Sequence, residues 1–111
     1  MGCGFLESVY EHALAIELQS HGVPFQRQVP FEVFYRDERI GIYTADLIVE
    51  ESLLLELKAS KALIKANESQ LLNYLNASNI KLGLLINFGS TSLQFKRMTI
   101  AQYQNPVKSN L

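Results

Sequence analysis

The sequence predicts an α/β fold in which helices lie on one mixed sheet, in the order helix, three strands, helix, two strands. Two observations predict it. The hydrophobic period changes from helical to strand-like and back along the chain, and short polar turns separate the three consecutive strands. A strand that follows a helix most readily pairs parallel to the sheet before it, which makes the sheet mixed. With 111 residues and 48% hydrophobic composition, we expect one domain over residues 1–101 and a polar tail over residues 102–111.

The first helix is expected over residues 5–21, with Gly22 as its stop signal. Glu7 falls between Leu14 and Leu18 on the helical wheel, so it is flanked by apolar neighbours. We expect an apolar stripe to be the packed side of this helix: Leu6, Val9, Tyr10, Ala13 and Ile16. The opposite, wet side is expected to carry Ser8, His12, Ala15 and Gln19.

Three strands joined by short turns are expected next, over residues 25–35, 40–49 and 53–58, as an antiparallel meander. Alternation places Phe25, Val29, Phe31, Val33 and Tyr35 on one side of the first strand. Pro30 indicates that this strand lies at an edge of the sheet.

A second helical region is expected over residues 61–77, with a break or new start near Asn67. Two final strands follow over residues 81–88 and 93–100 with a turn at Gly89.

Charge divides unevenly along the chain, although the net charge is −1. Residues 1–57 hold ten acidic and three basic side chains, whereas residues 58–111 hold seven basic and one acidic. A basic face for a phosphate backbone beside an acidic pocket for a cation would explain this division. Two ordinary solvated faces would also explain it, and charge alone favours that explanation.

The compartment expected is the cytoplasm. No apolar run reaches the ~18 residues of a membrane span, so no membrane association is expected. We expect no secretory signal either, because no basic segment followed by an apolar core opens the sequence. The single cysteine, Cys3, excludes an internal disulfide and a cysteine-based metal cluster.

The residues that suggest chemistry lie in the meander. Glu56 and Lys58 share one face of the third strand, and the hairpin that precedes it brings Asp46 to the level of Glu56. Two adjacent carboxylates tolerate each other best around a divalent cation, and oxygen ligands suit Mg²⁺ or Mn²⁺. A lysine there can help activate an attacking water and offset charge on a phosphate. From spacing alone, Glu56 and Lys58 could equally form an exposed ion pair.

A resemblance gives these residues a context. The segment from Gly4 to Tyr10 reads Gly-x-x-Glu-x-x-Tyr and resembles the signature of the GxxExxY family, a branch of the PD-(D/E)XK nuclease superfamily. Further motifs follow in family order, which are Gln28-Val29-Pro30, Ala45-Asp46-Leu47-Ile48-Val49-Glu50, Glu56-Leu57-Lys58-Ala59, Gln70-Leu71-Leu72-Asn73-Tyr74-Leu75 and the apolar run from Lys81 to Phe88.

The resemblance implies a restriction-endonuclease-like core with Asp46 and Glu56 as metal ligands and Lys58 as the catalytic lysine. Glu7 would be a further ligand, direct or through water; the alternative is a flank carboxylate packed over its own stem. Gln70 and Tyr74 lie four residues apart on one helix face and would border the site, or belong to the polar stripe of a surface helix.

The chain departs from the family pattern in two places. The family normally has a further helix ahead of the Gly-x-x-Glu motif. Without that helix, apolar surface of the first helix would be uncovered, and we expect instability, homodimer formation or a truncated chain to account for it. The family also often has a basic residue where this chain has Thr44.

The leading hypothesis is a divalent-metal-dependent nuclease, a hydrolase of phosphodiester bonds in DNA or RNA. An alternative is a non-catalytic module on a nuclease-like fold, which would bind protein, or nucleic acid through basic residues such as Lys61, Lys65 and Lys81. A third possibility is a structural or regulatory dimer.

Overall fold

The computed structural model describes the backbone of residues 3–100 and the side chains of residues 6–100, so the expected tail over 102–111 lies outside the described residues. The observed order is helix, three strands, helix, two strands, and it confirms the predicted fold class. The elements are α1 (Cys3–Ser20), β1 (Phe25–Tyr35), β2 (Glu38–Val49), β3 (Leu53–Lys58), α2 (Lys65–Ser78), β4 (Leu82–Asn87) and β5 (Gln94–Thr99).

One five-stranded sheet contains all the strands in the order β1-β2-β3-β4-β5. β1, β2 and β3 form the predicted antiparallel meander, β4 pairs parallel to β3, and β5 pairs antiparallel to β4. β1 is an edge strand, as Pro30 indicated.

The second helix starts later than expected and is continuous. It begins at Lys65, and the Asn67 side chain accepts a hydrogen bond from the Ile64 backbone N–H at 2.9 Å just ahead of it. Asn67 therefore marks the start of α2 and not a break within it.

The two helices cover opposite faces of the sheet, and each face has its own core. Leu71 and Leu75 of α2 pack with Leu54 and Leu85 of the sheet. Leu14 and Leu18 of α1 pack against the other face, whose buried residues are Leu47, Val49, Leu55 and Leu57.

The packed side of α1 differs from the expected one. The side facing the sheet carries Glu7, Glu11, Leu14, Ala15 and Leu18, of which Glu11 and Ala15 are buried. Ala15 therefore does not belong to a wet side. The predicted stripe is exposed instead: Leu6, Val9, Tyr10, Ala13 and Ile16. The wheel prediction was wrong because Arg27 and Gln28 of β1 bind Glu11 and thereby turn an acidic side of the helix inward.

The alternation of β1 also differs from the prediction. Val29, Phe31 and Val33 pack on the α2 side of the sheet, but Phe25 packs on the α1 side. The strand changes face at Gln28, whose backbone has a φ of 50°. A left-handed residue interrupts the alternation, so residues of equal parity before and after it lie on opposite faces.

No helix of the described residues is long and apolar enough to cross a bilayer.

Candidate active site

An open groove of about 550 Å³ lies where β2 separates from β3. The ladder between these strands ends at the pair Leu47 and Leu55, so the rest of β2 runs beyond β3 with β1 as its ladder partner. The groove is lined by Glu7, Val33, Ile40, Gly41, Ile42, Tyr43, Thr44, Asp46, Glu56, Leu57, Lys58 and Tyr74. Four of the residues singled out from the sequence as ligands or catalytic lysine, Glu7, Asp46, Glu56 and Lys58, are therefore brought together.

Asp46 occupies the point of separation. Continuing the β2–β3 register by one residue would pair Asp46 with Glu56, so the two acids lie at the same level of the sheet. The Leu57 backbone N–H donates to Asp46 Oδ2 at 2.8 Å in place of a further ladder bond. Burial raises the pKa of Asp46, while the bond from Leu57 opposes that shift.

Glu56 is the most buried carboxylate of the groove. Its side chain points to the same face as Leu54 and Lys58, as alternation predicts, and the residue is only 7% exposed. Burial raises its pKa to about 8, and the charges of Glu7 and Glu11 add to the shift, whereas Lys58 opposes it. Its Oε2 atom is buried without a hydrogen-bond partner. Such an orphaned oxygen needs a proton or a cation beside it.

Lys58 is half-buried at the end of β3. Its charge favours the ionised forms of both Asp46 and Glu56, so the ammonium group is close enough to act on both carboxylates. The groove therefore combines partly buried carboxylates with the adjacent ammonium group of Lys58.

Two residues of this region, Glu11 and Gln28, were not predicted from the sequence as site residues. Glu11 is 6% exposed; it accepts hydrogen bonds from Arg27 Nε at 2.9 Å and Gln28 Nε2 at 2.7 Å. Its charge raises the pKa values of Asp46 and Glu56. The signal in the sequence was the spacing, since Glu7 and Glu11 are four residues apart and share one helix face.

The aromatic wall of the groove is formed by Tyr74, whose ring stacks on Tyr43. Burial raises the pKa of Tyr74, and the charges of Glu56 and Asp46 raise it further.

Gln70 is exposed and does not line the groove. Tyr43 was missed from the sequence; its hydroxyl is buried without a partner. Tyr10 does not line the groove, and its ring packs on Phe88 with the ring centroids 4.0 Å apart.

The lysines proposed for nucleic-acid contact are all exposed but lie at different ends of the sheet. Lys61 and Lys65 follow Lys58 in the loop and the start of α2. Lys81 precedes Leu82, which pairs with Leu53 at the beginning of β3. Lys81 is therefore remote from the groove, about five strand residues or ~16 Å from the level of Lys58.

The groove's acids suit a hard divalent cation. No group of three His, Cys, Asp or Glu side chains among the described residues is arranged to hold a metal by itself. Magnesium, however, commonly uses one or two carboxylates and keeps several waters. Two adjacent carboxylates with an orphaned, buried Glu56 Oε2 fit that mode of binding.

Comparisons with known proteins agree with this fold. The chain is similar to a crystal structure of a protein called SSO0001, with a TM-score of 0.66 and 18% identity over 86% of this chain. The chain spans about half the length of that protein, covering 50% of it. No curated protein sequence matches the chain. A family model of the PD-(D/E)XK nuclease superfamily matches residues 1–98, and the chain therefore belongs to that superfamily.

Proposed function

We propose that this protein is a divalent-metal-dependent nuclease that hydrolyses phosphodiester bonds in nucleic acid, from the GxxExxY branch of its superfamily and with residues 1–101 as one cytoplasmic domain. The single observation that carries the proposal is the meeting of Asp46, Glu56 and Lys58 in one groove. Membership of the superfamily supports nucleic acid as the substrate.

Asp46 and Glu56 would hold the cation, with Glu7 contributing directly or through water. When bound, a divalent cation supplies positive charge that stabilises a phosphate under attack. The raised pKa of Glu56, about 8, supports this assignment, because a carboxylate buried against other acids is stabilised by a cation more than by water.

Lys58 would act on the substrate and the attacking water. Its ammonium group can orient the water and, through its charge, favour the loss of the water's proton to solvent; the same charge offsets the charge that builds on the phosphate oxygens. Tyr74 would border the substrate, since its ring lies on the groove wall.

Metal binding is the first test, since it does not depend on choosing a substrate. We expect calorimetry to detect Mn²⁺ and Mg²⁺ binding to the wild type and at least a tenfold loss of affinity in Asp46→Asn and in Glu56→Gln. Circular dichroism would show whether each variant is folded. Equal affinity in the wild type and both variants would contradict the proposed ligands.

Cleavage is the second test, on single- and double-stranded DNA and RNA with Mn²⁺ or Mg²⁺. We expect Lys58→Met to lose at least 100-fold in rate, whereas Lys81→Met, which removes an equal charge away from the groove, keeps its activity. Unchanged cleavage by Lys58→Met would overturn the role of that lysine. Metal-independent, salt-sensitive binding without cleavage would favour the non-catalytic module instead.

A further inference from the structure

We propose that Gln28, held in place by Glu11, is a positioning residue that keeps Asp46 at the separation of β2 from β3. The resemblance to the family assigns roles to the acids, the lysine, Gln70 and Tyr74, but it assigns none to Gln28. Its consequence for catalysis rests on the proposed function, but the positioning can be tested without metal or substrate.

The backbone of the β1–β2 hairpin is interrupted at this one level. Arg27 pairs with Leu47 and Val29 pairs with Ala45, but Gln28 and Asp46 between them are not paired. The register is the same on both sides of the interruption, so no residue has been inserted. Gln28 instead adopts a φ of 50°, which is unfavourable for a residue with a side chain.

Both strands change face at this level. Tyr43 and Ala45 pack on the α2 side of the sheet, and Leu47 and Val49 pack on the α1 side although they have the same parity. β1 changes face at Gln28 in the same way. Asp46 is thus released from its ladder with β1 at the residue where its carboxylate accepts the Leu57 N–H.

Glu11 holds the side chain of Gln28, the residue at the interruption. It is nearly fully buried on α1, and its two oxygens accept hydrogen bonds from Arg27 and Gln28. A buried carboxylate with charge-assisted bonds is a rigid anchor, because breaking either bond leaves a buried charge poorly satisfied. The Gln28 side chain also stabilises the ionised form of Asp46, so its amide acts on both acids.

These residues bring α1, β1, β2 and β3 together at one level: Gln28 donates to Glu11, Gln28 and Asp46 lie opposite each other at the interruption of the β1–β2 ladder, and Asp46 accepts from Leu57. If Gln28 loses its side chain, the left-handed backbone no longer has an anchor to α1. Asp46 can then rotate away from Leu57, and the Leu57 amide becomes open to water.

Amide hydrogen exchange measured by NMR on the metal-free protein tests this directly. Gln28→Gly is the sharpest variant, because glycine adopts a φ of 50° without strain and the fold is not penalised. We expect the Leu57 amide to exchange at least tenfold faster than in the wild type. The amide of Leu55, in the paired part of the β2–β3 ladder, should be unchanged.

Matched variants separate positioning from general stability. Gln26→Gly changes an exposed glutamine of the same strand, and we expect no effect on Leu57. Glu11→Ala should accelerate Leu57 exchange, and Glu11→Gln should largely restore protection because its amide oxygen can still accept from Gln28. Equal Leu57 exchange in the wild type and Gln28→Gly, or equal acceleration at Leu57 and Leu55, would overturn the proposal.

The link to the proposed function has its own readout. We expect Gln28→Gly to weaken Mn²⁺ binding about tenfold while Gln26→Gly leaves it unchanged. A wild type that binds no Mn²⁺ would contradict the metal site and leave the exchange result standing. Faster Leu57 exchange with unaltered Mn²⁺ affinity would instead contradict the catalytic consequence of the positioning.

Discussion

The burial of Glu56 carries a cost that the proposed metal site would explain. It lies in the apolar strand β3 with an unpartnered, buried oxygen, and its pKa of about 8 means that it is mostly protonated in the metal-free protein near neutral pH. A purely structural strand would place an apolar residue here. The cost is consistent with a group held ready for a cation.

The stability of the metal-free protein should therefore depend on pH. The folded-state pKa of Glu56 lies above its ordinary value of 4.5, so the folded state binds the proton more tightly than the unfolded chain. The stabilising contribution is complete below about pH 4.5 and is lost as the pH rises through about 8. Asp46, whose pKa is also raised, changes stability in the same direction.

We expect thermal unfolding of the wild type in a chelator to show a fall in stability from pH 5 to pH 9, on the order of 3 kcal/mol. Glu56→Gln should show a much shallower dependence and a higher melting temperature than the wild type at pH 9. Saturating Mn²⁺ should stabilise the wild type at high pH and not the variant. The same pH dependence in both proteins would show that Glu56 is not responsible.

At the scale of elements, α1 shows that tertiary contacts can override helical periodicity. The sheet-facing side includes two acids, and the most apolar side faces outward. Ile16 is 56% exposed, whereas Leu18 packs on the α1-side core.

Paired truncations should reveal this orientation. We expect Leu18→Ala to lower the free energy of unfolding by about 1.5–2 kcal/mol because it removes packing against the sheet. Ile16→Ala should stay within about 0.5 kcal/mol of the wild type. Urea denaturation measures both, and a larger loss for Ile16→Ala would mean that α1 packs by the side the wheel predicted.

The loop between β3 and α2 is held by Asn87, which is fully buried at the end of β4. Its side chain accepts from the N–H groups of Ser60 and Gly89 and donates to the carbonyl of Ser60 and to Gln94. These bonds fix the segment that follows Lys58. A Cβ at Gly89 would overlap the backbone of Ala59 and Ser60, so the two segments meet in direct contact.

Asn87→Leu should consequently destabilise the protein by about 3 kcal/mol, since it removes all the hydrogen bonds that the buried Asn87 side chain makes to Ser60, Gly89 and Gln94. Asn73→Leu, an exposed position on α2, serves as the control and should change stability by less than about 0.5 kcal/mol. Chemical denaturation with both variants checks the prediction. Similar stability of the two variants would show that the Asn87 bonds contribute little.

At the scale of the whole molecule, apolar side chains are exposed on the outer side of α1. Leu6, Val9 and Ile16 are each between 45% and 56% exposed on this one helix. A continuous apolar surface of this kind promotes association.

Light scattering should therefore show an apparent mass that rises with concentration. We expect Ile16→Glu to reduce this rise, because a charge on the apolar side is costly to bury. Glu17→Gln, at the neighbouring position, which is also exposed, serves as the control. A monomeric wild type at all concentrations would contradict the expectation of self-association.

The sequence by itself determined the element order, the meander, the parallel β4 and the edge position of β1, because these follow from local periodicity, turn residues and a chirality rule. The sequence also predicted that Asp46 lies at the level of Glu56, because a short hairpin between the two strands sets their register. Only the tertiary structure decided which side of α1 is buried, where β1 and β2 change face and which residues surround the acids. Those features depend on contacts between distant segments, such as Glu11 with Gln28 and Asp46 with Leu57, and no local pattern encodes them.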